Sequence, residues 1–158
     1  MQNLHIYLND HLAGSVGALE LLDHLIETST DPAFRAFLTN LREAINADQA
    51  VLQDLLRRIG GDESTMRKAG AWILEKMSRL KLQKEADDGG LGLFQALEAL
   101  ALGITGKRAL WRTLARASET ITELAALDYV RLEKRATNQF EKVEAKCLEL
   151  APTVLNSQ

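Results

Sequence analysis

The sequence contains no Glu-x-x-His pair, the spacing by which one bundle helix offers two ligands to a metal pair, and its three histidines, His5, His11 and His24, all fall in the first helical segment. Cysteine occurs once, at Cys147, which excludes an intrachain disulfide framework and fits a reducing, cytoplasmic setting. Proline occurs only at Pro32 and Pro152, and aromatics make up 5% of the chain. Helix breakers are therefore scarce, and so are the bulky residues that favour strands. No uncharged apolar run approaches the roughly 18–20 residues of a membrane-spanning helix. The start, Met1 to His5, has neither the basic residues nor the apolar stretch of an export leader, and none is expected.

What is present is helix-forming: Ala, Leu, Glu, Lys and Arg dominate, with 46% hydrophobic and 26% charged residues over 158 positions. That is enough chain for one domain, 1–158, of the all-α class. The net charge is −3. Only residues 61–84 are clearly basic, with six basic and three acidic groups, too small a surface to predict a nucleic-acid partner.

Apolar periodicity predicts the elements. Leu8, Leu12, Ser15, Leu19, Leu22 and Ile26 form one stripe of a helix from about Leu4 to Glu27. Asp31-Pro32 starts a second helix, to about Arg58, whose stripe is Phe34, Leu38, Leu41, Ile45, Asp48, Leu52, Leu55 and Ile59. Asp48 is the exception, a carboxylate in a seam position. Gly60-Gly61 ends this helix. Residues 60–91 then form a crossover containing a short helix from about Thr65 to Gln83. A further helix from about Gly92 to Ser118 points Phe94, Leu97, Ala101, Ile104 and Trp111 inward. Thr120 and Glu123 have capping-box spacing, which favours a turn near Ser118 over one continuous helix. The last helix follows to about Leu150, with Ala125, Tyr129, Leu132, Ala136, Val143 and Leu150 on one face, before Pro152.

Two hairpins of long helices joined by a long, partly helical crossover resemble the ferritin-like superfamily in layout, over nearly the whole chain. The resemblance implies a four-helix bundle with the additional short helix in the crossover. In the family, carboxylates and histidines from the four helices hold two metal ions that bind oxygen or peroxide.

This chain offers a different set of groups. Equal distances from a turn place residues at equal heights in antiparallel neighbours, with His11 about 19 residues before the first turn and Asp48 about 18 after it. Arg108 and Asp128 are each about 10 residues from the second turn, and a ferritin-like path brings all four within about one turn of height. The expectation is an interior polar layer of His11, Asp48, Lys107, Arg108 and Asp128, in which Lys107 or Arg108 supplies the positive charge a buried carboxylate needs. The alternative puts these groups at the bundle rim. An atypical iron or manganese site is the third reading, with Glu20, His24, His11, Asp48, Glu98 and Asp128 as the ligands to test. Glu20 is about 10 residues from its turn, however, which leaves it about 12 Å from the height of Asp48. Glu20 and His24, four apart, are read as an exposed ionic contact.

Gly14, Gly17, Gly103 and Gly106 interrupt strong helices at about 1 kcal/mol each relative to Ala, and are read as allowing close backbone approach or room for Trp111. Cys147 reads as a buried thiol. The basic amphipathic stretch 65–84, with Lys76, Arg79 and Lys81, is expected to pack its apolar side across the bundle; the alternative use is a peripheral membrane or partner surface. The sequence thus predicts a bundle without a resident cofactor that acts through its surface, on a second copy of itself or another protein. A metal-dependent oxidoreductase is the competing class.

Overall fold

A computed structural model describes residues 1–60 and 90–156. These form α1 (Gln2–Thr28), α2 (Pro32–Arg58), α3 (Leu91–Ala117), a 3-10 turn (Thr122–Leu124) and α4 (Tyr129–Val154), with no strand among the described residues. The chain is all-α. The short helix expected over Thr65–Gln83, and with it the basic stretch 65–84, lies outside the described residues.

Local chemistry sets the helix ends. Asp31 caps α2 by accepting from the Ala33 amide at 3.0 Å, and Pro32 takes the first helical position, where a missing N–H costs nothing. Gly60, at φ +75°, ends α2 in the left-handed region that glycine alone adopts without strain. Each helix of 26 or 27 residues is about 40 Å long.

The inward stripes meet in one core. Leu8, Leu12, Leu22, Leu38, Leu55, Leu97, Leu110, Trp111, Leu114 and Val143 are almost completely buried. Each such side chain contributes about 1.5–3 kcal/mol of transfer free energy, an upper estimate because the unfolded chain is itself partly collapsed. Packing is densest within the hairpins α1–α2 and α3–α4; between them α1 lies beside α3 and α2 beside α4.

Contacts at the ends give the directions. His5 Nε2, at the start of α1, lies 3.0 Å from the carbonyl of Ile59 at the end of α2. A Cβ added to Gly90, just before α3, would meet Val154 at the end of α4 at 3.6 Å. Lys146, late in α4, sits 5.9 Å from the ring centroid of Phe34, early in α2. The starts of α2 and α3 therefore share one end of the bundle, α2 and α3 run the same way, and Gly60 and Gly90 lie at opposite ends.

The break expected near Ser118 is present, since α3 ends at Ala117, but the way the next helix starts differs from expectation. Thr120 does not cap a helix: its hydroxyl donates back to the carbonyl of Ala117, and Glu123 belongs to the 3-10 turn. Helix α4 starts only at Tyr129, capped by Asp128, whose carboxylate accepts from the Arg131 amide at 3.0 Å. The Tyr129 hydroxyl, buried, donates to the Leu124 carbonyl at 2.7 Å and ties the turn to the helix. Ala125 is exposed in this turn. At the other end α4 runs through Pro152 to Val154. The ring removes the donor that would otherwise reach the carbonyl of Leu148.

The glycine reading is corrected at three of its four positions, while the fourth, Gly17, is buried on α1. A Cβ on Gly14, Gly103 or Gly106 would meet nothing within 4 Å, so no close backbone approach or aromatic ring holds these positions open.

Candidate polar layer

Asp48 sits midway along α2 because its heptad position belongs to the seam, between Ile45 and Leu52, and its side chain is 1% exposed. A lone carboxylate there would cost several kcal/mol in lost hydration. The second hairpin compensates it. Lys107 Nζ, from α3, lies 2.6 Å from Oδ2, and Gln139 Nε2, from α4, donates to the same oxygen at 2.9 Å. Arg135 Nη2, one turn before Gln139, approaches Oδ1 at 2.8 Å as an ion pair outside good hydrogen-bond alignment. Gln139 Oε1 in turn accepts from Lys107 Nζ.

The layer is closed on its carboxylate and open on its cations. Lys107 is 14% exposed and Arg135 33%. Burial pushes the Lys107 ammonium below its ordinary range, the Asp48 charge and hydrogen bond oppose that, and Arg135 adds to the lowering. One anion thus holds two cations. Both Asp48 oxygens are faced by protein cations, so a metal ion there would have to sit beside two positive charges already in place.

The other groups named from the sequence are dispersed. Arg108 is half-buried one residue from Lys107 and makes no ion pair with a described residue. Asp128 is exposed at the turn. The register argument set it about 10 residues into the last helix, but that helix begins after it. His11 is half-buried with its ring edge-on to Tyr7, centroids 4.8 Å apart, and burial lowers its pKa. Glu20 is half-buried on α1, with Oε2 buried and without a hydrogen-bond partner. His24 is on the same helix. Glu98 is exposed on α3, close enough to Cys147 to reinforce the upward shift that burial gives that thiol. Among the described residues, no three His, Cys, Asp or Glu side chains converge as a metal site would require. No described helix is long and apolar enough to cross a membrane.

Gln139 and Arg135 were not predicted. Gln139 had a readable signal: it falls three residues after Ala136 and four before Val143, in the inward stripe of α4. It is a polar interruption of the same kind as Asp48. Arg135 had none, since it flanks the stripe as Arg131 does. Comparison with family models, with curated proteins and with solved structures gives no match.

Proposed function

We propose that this chain is a ferritin-like bundle in which a charge cluster supplied by the protein occupies the layer where metal-holding relatives gather their ligands, and that it acts as a structural or interaction protein rather than an oxidoreductase. The observation that carries this reading is Asp48, fully buried at mid-helix and neutralised by Lys107 at 2.6 Å and Arg135 at 2.8 Å. The shared direction of α2 and α3 supports the ferritin-like path, because it puts Gly60 and Gly90 at opposite ends of the bundle.

The layer holds the two hairpins in register. Asp48 belongs to the first, and Lys107, Gln139 and Arg135 belong to the second, so sliding one hairpin by a turn, about 5.4 Å, separates the charges. A rigid bundle of this kind works through its surface, toward another protein or a second copy. The test is elemental analysis and an anomalous-scattering scan on protein expressed with added iron and manganese. Protein without bound iron or manganese is the expected result. A metal pair bound among the helices and lost in Asp48→Asn overturns the reading.

A further inference from the structure

Helix α3 carries a second stripe on the side turned away from the core. Gln95, Ala99, Leu102, Gly106, Ala109 and Thr113 recur at alternating steps of four and three, the spacing of a coiled-coil seam, and none is charged. Five of the six are exposed and Gly106 is half-buried. The face is open at the residues themselves: Leu102 is 76% exposed, and a Cβ on Gly106 meets nothing within 4 Å. The seam also mirrors itself about Ile104. Gln95 stands opposite Thr113, Ala99 opposite Ala109, and Leu102 opposite Gly106. A second copy laid antiparallel across a two-fold axis at this height therefore brings each Leu102 over the open space at the other copy's Gly106, and alanine against alanine.

Charge fits the same arrangement. Glu98 and Arg112 are two heptads apart, so they flank the seam on one side, and flanking positions of one kind face each other across an antiparallel pair. The two-fold axis brings Glu98 of one copy to within about 3 Å of the height of Arg112 of the other. Glu98 makes no ion pair with a described residue, and Arg112, 66% exposed, reaches Glu133 only at 3.7 Å. A parallel pair loses both matches: leucine meets leucine, glycine meets glycine, and Glu98 and Arg112 turn toward Gly103 and Ala117. A partner of another sequence would not require the seam to mirror itself. We propose that this chain forms a two-fold dimer through the outer face of α3, with each Leu102 seated on the other copy's Gly106 and Glu98 paired with Arg112 across the axis. The inference rests on the interaction reading above and gives that reading a surface and a partner. One helix face from each copy is a small interface, so the dimer is expected to be reversible in the micromolar range.

The test is analytical ultracentrifugation of the full chain across the micromolar range. A monomer–dimer equilibrium is expected, weakened about tenfold or more by Leu102→Glu, which places a charge at the centre of the seam. Leu102 is exposed, so that variant keeps its circular dichroism. Glu98→Arg alone should weaken the dimer, and adding Arg112→Glu should restore it, because the swapped charges meet again across the axis. Under oxidation the double variant Ala99→Cys with Ala109→Cys should give a disulfide-linked dimer, whereas Ala99→Cys alone should not. A chain that stays monomeric throughout overturns the proposal, as does a dimer indifferent to Leu102→Glu, which would use another face. Failure of the charge swap to restore association, or cross-linking by Ala99→Cys alone, overturns the antiparallel pairing and the proposal with it. None of these failures touches the metal test, which stands on Asp48 alone.

Discussion

Asp48 and Asp128 are both aspartates on inward-reading stretches, and the bundle treats them in opposite ways. Asp48 is sealed at mid-helix and met by Lys107, Arg135 and Gln139. Asp128 is exposed at the second turn and needs only the Arg131 amide. The contrast teaches that the seam position, rather than the residue type, decides how much depends on a carboxylate. At the turn, water substitutes for a lost partner; in the middle of α2 nothing does.

The largest break in that comparison comes from removing the buried cation. Lys107→Met leaves Asp48 with Arg135 and Gln139 alone and is expected to cost about 3–5 kcal/mol in urea unfolding. Adding Asp48→Leu should recover a large part of that loss, because the uncompensated charge goes with it. Strict additivity in this double-mutant cycle would show that the two do not act as a unit. The pair Arg108→Met and Asp128→Leu serves as the control and should be additive, since those residues lie apart.

At the turn the stakes are lower. Asp128→Ala removes one cap and should cost about 1 kcal/mol, with Tyr129→Phe costing a similar amount through the lost bond to the Leu124 carbonyl. Thermal midpoints measure both. An Asp128→Ala loss as large as that of Lys107→Met would mean that the cap, and not the buried layer, holds the α3–α4 hairpin.

How much of this could be read beforehand follows from the same contrast. Apolar spacing located the long helices and the odd carboxylate at Asp48, because burial at a seam position leaves a periodic mark in the sequence. Lys107 was legible as a neighbouring cation, and Gln139 by the same periodic rule applied to α4. Arg135 was not legible, because a flanking arginine looks alike whether it enters the seam or points to water. The error at Asp128 came from helix phase: Thr120 and Glu123 imitate a capping box while the chain spends the next residues in a 3-10 turn held by Tyr129. Capping signals compete locally, and here Asp128 caps the helix in place of Thr120, beside the Tyr129 bond to the carbonyl five residues back.

The open glycines give a smaller effect with the opposite sign. Gly14 and Gly103 are exposed and a Cβ there meets nothing within 4 Å. Each Gly→Ala replacement should therefore stabilise the helix by about 0.8–1 kcal/mol, read as a higher thermal midpoint. A loss at either position would mean that the α1 and α3 backbones need that space after all.

The smallest effect sharpens the picture of the layer itself. Burial, aided by Arg135, holds the Lys107 ammonium below its ordinary range despite Asp48. In a carbon-detected titration of the lysine side chains Lys107 should lose its proton at lower pH than the ordinary lysine value of about 10.4. Since its folded pKa is lowered, the folded state disfavours the charged form. This group's contribution to stability accordingly increases as pH rises through the folded pKa and is complete above the unfolded one. Burial raises the pKa of Tyr129, which works the other way, with stability lost as pH climbs from the ordinary phenol value toward the folded one. The two are separated by Asp48→Asn, which removes the attraction that opposes burial and should drive the Lys107 titration lower still while leaving Tyr129 where it was. An unmoved Lys107 would place its ammonium in water, and the layer would then be a carboxylate held by Arg135 and Gln139 alone.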